Sequence, residues 1–213
     1  PPEGELADQL GISRSTLREA LGHLESFGVI TRQQGRGTFV TSSQGPNLLG
    51  GIERLEPFRE LASRAGKKHA VLKREAALVL AGERETGDLE IEPGTELFRV
   101  ESVEAIDGVP TMYLEYYILM EGFEEEDLLC YDDSVLTYMG EVFDPPLSYA
   151  RTKIFSIGAS HDVAQHLGIQ VGQPVLHFFE KTYNEESKLI GITYLYMVTD
   201  QFYYSVTRRV PPR

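Results

Sequence analysis

Leu6, Ala7 and Leu10 fall at helical spacing within EGELADQL, and Gly11 supplies a stop, so the pattern predicts a helix over residues 3–10. Ser13 can cap the next segment, where Leu17, Ala20, Leu21, Leu24 and Phe27 form one apolar stripe ended by Gly28. That stripe predicts a second, amphipathic helix of about four turns. VITRQ and TFVT are β-rich runs around Gln34, Gly35, Arg36 and Gly37, and they read as a hairpin. SSQGPNLLGG, residues 42–51, has no periodicity and reads as a linker.

Further along, residues 58–65 can form a short helix, and residues 71–80 mix strand and helix signals. ELFRVESVEAI and TMYLEYYIL flank Asp107-Gly108-Val109-Pro110, a strong hairpin signal. Residues 133–143 read as a helix opened by Ser134, 148–157 as a strand, and 160–167 as a helix between Ser160 and Gly168. PVLHFFEKTYN and LIGITYLYMVT are two more β-rich runs, and SVTRRV closes the pattern. The fold class expected is α+β: a helix-turn-helix with a β-wing over 1–41, a linker over 42–57, and an antiparallel sheet decorated with helices over 58–213.

Charge changes this picture only when it is divided. The 213 residues carry net −13, which taken whole disfavours nucleic acid as a partner. Residues 1–45, however, hold four bases and five acids, and the other sixteen bases and twenty-eight acids lie beyond them. The acidity therefore belongs to the second segment. No apolar run reaches the roughly 18 residues of a membrane span, so no membrane partner is expected. The single cysteine, Cys130, cannot close an internal disulfide, and the start does not resemble a secretory signal. A cytoplasmic protein is expected.

The second helix opens with Arg14, Ser15 and Thr16, with Arg18 one turn on. In a helix-turn-helix this N-terminus reaches base edges in the major groove, where a guanidinium takes guanine bidentately and hydroxyls meet phosphates or bases. Arg32, Arg36 and Gly37 place two cations and a small residue in the wing. Double-stranded operator DNA is the partner these seven residues suit.

PPEGELADQLGISRSTLREALGHLESFGVITRQQGRGTFV resembles the winged helix-turn-helix of the GntR family of bacterial transcription regulators almost throughout. That family's usual arginine falls at Gly4, and its first helix would lie ahead of Pro1. The second segment resembles the effector-binding UTRA domain of the HutC-type branch, whose fold is shared with chorismate lyase. The matching marks are Phe58, the Asp107-Gly108-Val109-Pro110 turn, Glu115, Ser134, Ala164-x-x-Leu167-Gly168-Ile169, Gly172-Gln173-Pro174 and Asp200.

The resemblance implies a dimeric repressor whose operator affinity changes when a small metabolite binds. It places the effector site at Phe58, Arg59, Ser102, Glu104, Glu115, Ser134, Gly191 and Met197. Relatives that sense phosphorylated sugars carry arginines at the positions of Ser102 and Glu104, a glutamate at Gly191 and a tyrosine at Met197. A hydroxyl and a carboxylate in place of two cations remove the phosphate grip, so the effector expected is not a sugar phosphate. Gly191 and Met197 are expected to open apolar room opposite, and Arg59 is the residue that could restore an anion site.

Two other readings compete: an enzyme of chorismate-lyase-like fold, and a regulator whose sensor has lost its ligand. Little supports catalysis. His161 and His166, with Asp162, share one helix, but the histidines stand roughly 140° apart around its axis, so no metal is expected. Cys130 sits among acids, which oppose a reactive thiolate. The tyrosine-rich strands read as sheet packing, and the acid run 124–127 as a solvated helix start. No cofactor is expected.

Overall fold

Gly11 takes the left-handed conformation (φ 66°) and ends helix α1 (Glu3–Leu10), and Ser13 opens α2 (Arg14–Ser26), its Oγ accepting the Thr16 N–H at 3.1 Å. Ala7, Leu17, Leu21 and Ile30 bury against one another. Ala20 and Leu24 of the expected stripe stay exposed. The computed structural model describes residues 2–26, 30–33, 37–40, 48–52, 54–119, 131, 134–200 and 203–205. Phe27, Gly28, Gly35, Arg36, the acid run 124–127 and Cys130 lie outside them.

Strands β1 (Ile30–Gln33) and β2 (Gly37–Val40) pair antiparallel, with Ile30 opposite Val40. β3 (Leu48–Gly51) lies inside the stretch expected to be a linker and pairs with β10 (Tyr203–Ser205). A ladder needs only backbone N–H and C=O groups, so this short strand leaves no alternation to read. The chain divides into two compact units, Pro1–Glu53 with Tyr204–Arg213, and Arg54–Tyr203.

The second unit is built on a six-stranded antiparallel sheet in the order β4-β5-β6-β9-β8-β7. Its strands are β4 (His69–Leu80), β5 (Glu96–Ile106), β6 (Val109–Leu119), β7 (Leu147–Gly158), β8 (Pro174–Asn184) and β9 (Leu189–Met197). Asp107 and Gly108, both at positive φ, make the tight turn between β5 and β6. HAVLKREAALVL, mixed as a sequence, is strand β4 along its whole length, because eleven cross-strand pairs with β5 outweigh its helix-favouring Ala, Lys, Arg and Glu.

Alternation along the strands sends side chains to two faces. Val103, Tyr113, Tyr117, Phe179, Ile192, Tyr194 and Tyr196 form a core with Leu89 of α4 (Glu83–Leu89) and Val163, Ala164 and Leu167 of α6 (His161–Leu167). The opposite face buries Phe98, Val100, Met112, Leu114, Tyr116 and Phe178. On that side Phe58, first residue of α3 (Phe58–Arg64), sets its ring edge-on to His69 at 5.9 Å. Ser134 caps α5 (Val135–Val142) by accepting the Thr137 N–H at 3.1 Å. Helix α4 has no apolar stripe in its sequence; the Gly82 N–H donating to Glu85 Oε2 at 3.0 Å starts it.

Candidate DNA-reading and effector sites

At the start of α2 the hydroxyls gather, Ser13 Oγ lying 2.7 Å from Ser15 Oγ and 2.9 Å from Thr16 Oγ1. Arg14, the first residue of the helix, lays its guanidinium over Gly4. Arg18 Nε donates to Glu3 Oε2 at 2.8 Å on the surface, which holds the Glu3 carboxyl below its ordinary value. Arg32 donates through Nη2 to the Arg18 carbonyl at 3.3 Å, and its Nε lies 3.8 Å from Glu25. Both arginines are thus tied to acids of their own unit, which a phosphate would have to displace. Gly37 is exposed at φ 111°, a conformation open to glycine.

In the second unit the register brings Ser102, Glu104, Gly191 and Met197 to one sheet face, the one that meets Phe58. Ser102 is 1% exposed and Glu104 2% exposed. Glu104 Oε2 lies 2.8 Å from His69 Nε2 in a part-buried hydrogen bond, and His69 belongs to no motif that would single it out. Arg59, on α3, is exposed and pairs with Glu60 at 3.4 Å. A cleft of about 250 Å³ between the start of α3 and α5 is lined by Leu55, Pro57, Leu136 and Thr137. A larger one, about 470 Å³, opens at an end of the sheet beside Thr95, Leu119, Phe143 and Ile190, away from Ser102 and Glu104.

Three expectations change. Glu115 pairs with Glu101 in register and therefore faces the opposite side of the sheet from Ser102 and Glu104. Gly191 does not open room: a Cβ there would stand 2.5 Å from the Tyr117 carbonyl oxygen, so the glycine permits close strand approach. Met197 has 0% exposure and is core packing.

The environment of Glu115 is a charge cluster among aromatic rings. Arg99 Nη2 donates to Glu101 Oε1 at 2.7 Å and to Glu115 Oε1 at 3.0 Å, while Tyr113 donates to Glu101. Burial opposes the Arg99 charge, but the bond to Glu115, with Tyr117 and Glu101 nearby, raises its pKa above the ordinary guanidinium value. Arg84 of α4 lies 3.3 Å over the Tyr194 ring. Among the described residues no three His, Cys, Asp or Glu side chains converge as a metal site, and His166 stacks on Tyr113 at 4.2 Å.

Residues 1–40 match the model for bacterial regulatory proteins of the gntR family, and residues 64–203 match that of the UTRA domain. The chain belongs to the GntR family, with a UTRA domain. It is 28% identical to the HTH-type transcriptional repressor NagR of Bacillus subtilis (strain 168) over 86% of this chain and 74% of that protein. It is 30% identical to the HTH-type transcriptional regulator Rv0792c of Mycobacterium tuberculosis over 97% of this chain and 76% of that one. The possible transcriptional regulator YydK from Bacillus subtilis shares the fold, with TM-score 0.77 at 17% identity over 98% of this chain and 89% of that one.

This GntR protein is therefore a ligand-responsive, DNA-binding transcription regulator. The relatives it is similar to are transcription regulators rather than enzymes, which sets aside the chorismate-lyase-like reading. No helix among the described residues is long and apolar enough to cross a membrane.

Proposed function

We propose that the protein is a cytoplasmic, twofold homodimeric repressor whose operator affinity changes when a metabolite other than a sugar phosphate binds its second unit. The observation that carries the effector reading is the buried Ser102 and Glu104 where phosphate-sensing relatives hold two arginines. A carboxyl bonded to His69 in a buried wall repels a phosphate dianion and offers no donor to it. Phe58, which packs on His69 at this face, is a candidate effector contact together with Arg59 and Ser134; Glu115, Gly191 and Met197 act through packing and the Arg99 cluster instead.

DNA reading lies in residues 1–41. Arg14, Ser15 and Thr16 approach base edges from the start of α2, while Arg18, Arg32, Arg36 and Gly37 contact backbone, Arg36 lying outside the described residues. Similarity to a named repressor supports repression as the sense of regulation. Dimerisation is supported by β4, an edge strand that leaves Leu72, Leu78 and Leu80 more than half exposed. Calorimetry with glucosamine 6-phosphate tests the effector reading: no heat of binding is expected, and micromolar binding would overturn it.

A further inference from the structure

The cavity of about 470 Å³ at the end of the six-stranded sheet is lined by none of the candidate effector residues. Its size falls within the roughly 300–1,000 Å³ of small-molecule sites. Four strand ends meet there: Glu96 opens β5, Leu119 closes β6, Asn184 closes β8 and Leu189 opens β9. The close of α5 and the segment after it, with Phe143 and Asp144, supply more of the wall. The Glu185 N–H donates to the Pro146 carbonyl at 3.0 Å and so ties the turn between β8 and β9 to that segment. The turn, which carries Glu186, is closed by the Asn184 N–H on the Lys188 carbonyl at 3.1 Å and the Ser187 N–H on the Asn184 carbonyl at 2.9 Å. A ligand therefore meets walls already held in place, which spares part of the ordering cost of binding.

Leu119, Phe143, Leu189 and Ile190 make part of the lining apolar, and three exposed carboxylates, Glu96, Asp144 and Glu186, share it. Among the described residues these three carboxylates have no ion pair and no hydrogen bond. Lys188 is the one base in the lining, and it has contacts of its own, so the acids are left in surplus. Thr95 Oγ1 gives its proton to the Glu92 carbonyl at 2.7 Å and can only accept from a ligand. Asn184 is 2% exposed and lines the same cavity. Its Oδ1 accepts the Lys188 N–H at 2.9 Å, while its Nδ2 group meets no acceptor among the described residues. A carboxamide donor on so buried a residue is nearly always bonded, so this one calls for an acceptor from a ligand.

We propose that this cavity is a second ligand site of the second unit and that it takes a compact amine carrying an oxygen acceptor. Its apolar body lies against Leu119, Phe143 and Ile190, its ammonium meets Glu96, Asp144 and Glu186, and its oxygen accepts from Asn184 Nδ2. The site is separate from the Ser102 and Glu104 face, and the inference does not depend on the effector reading above. An anion would be repelled by the three carboxylates, and a neutral molecule would leave them without a counter-charge. An amine without oxygen would leave the Asn184 donor unmet.

The test is calorimetry on the full chain with phenylalaninamide, which joins an aromatic body, an ammonium and a carbonyl. Its relatives each change one feature: N-acetylphenylalaninamide removes the charge, 2-phenylethylamine the carbonyl and glycinamide the ring, while phenylalanine adds a carboxylate. Phenylalaninamide should bind with micromolar Kd and each relative at least fivefold more weakly. The double variant Asp144→Asn with Glu186→Gln, both at exposed positions, should weaken phenylalaninamide tenfold or more. Val142→Arg, which sets a cation in the lining at a position 39% exposed, should abolish its binding. A Tm within a degree or two of the wild type shows that each variant keeps its fold. No binding of phenylalaninamide by the wild type, equal binding of the N-acetylated form, or undiminished binding by the folded variants overturns the proposal.

Discussion

Arg14 Nη2 lies 2.7 Å from the point where a Cβ on Gly4 would stand, so the guanidinium occupies space that only glycine leaves open on the first turn of α1. The family's usual arginine is missing at the very place where Arg14 lies. Gly4→Arg should push the flexible Arg14 aside and change operator affinity, with stability shifting by no more than about 0.5 kcal/mol, as for a surface site. Arg14→Ala should cost about 1–3 kcal/mol of specific binding. Fluorescence anisotropy on a selected operator, with chemical denaturation alongside, checks both; unchanged affinity and sequence preference in Arg14→Ala would remove Arg14 from base reading.

Glu101 and Glu115 face each other across β5 and β6, an arrangement that repels unless bridged, and Arg99 bridges it. Arg99→Met should destabilise the second unit by about 2 kcal/mol, the scale of hydrogen bonds to charged groups. Adding Glu115→Gln should recover much of that loss. Urea melts of both variants beside the wild type read the effect, and an Arg99→Met protein as stable as the wild type would contradict the bridge.

His177 is stacked on Tyr196 at 4.6 Å, and burial first of all pushes its pKa below the ordinary histidine value. Its neutral form is favoured in the fold, so its contribution to stability is present above the unfolded value of about 6.5 and lost as pH falls below it. His177→Phe keeps a ring in the stack and should flatten this part of the pH–stability curve. An acid limb equally steep in the variant would assign the effect to other groups.

Paired edges of β4 should hold the dimer, so Leu78→Lys, at a position 58% exposed, should weaken self-association without unfolding the sheet. Sedimentation of the wild type at micromolar concentration should show a dimer and the variant a monomer–dimer mixture. A wild-type monomer would contradict the assembly.

Much of the fold was legible because its signals are local. Ser13 and Ser160 mark helix starts with a side-chain hydroxyl that accepts a backbone N–H, Gly168 marks an end with its left-handed backbone, and Asp107-Gly108 marks a turn. The parts that were not legible depend on pairing. The strand character of residues 71–80 comes from β5, and the facing of Glu115 comes from a register in which one residue's slip exchanges the two sides of the sheet. Arg74 and His69 carry no motif; they join Ser102 and Glu104 only because β4 lies beside β5. Gly191 looked like missing chemistry when it is required by the Tyr117 carbonyl beside it.

The most direct test of a regulator with a ligand-responsive second unit is operator affinity measured with and without effector on the full chain. After in-vitro selection of a DNA site, anisotropy titrations should give tight, near-palindromic binding that changes at least tenfold when a pool of small metabolites is added, and not when glucosamine 6-phosphate is added. Operator affinity indifferent to every metabolite of the pool, or altered by the sugar phosphate, would contradict the account.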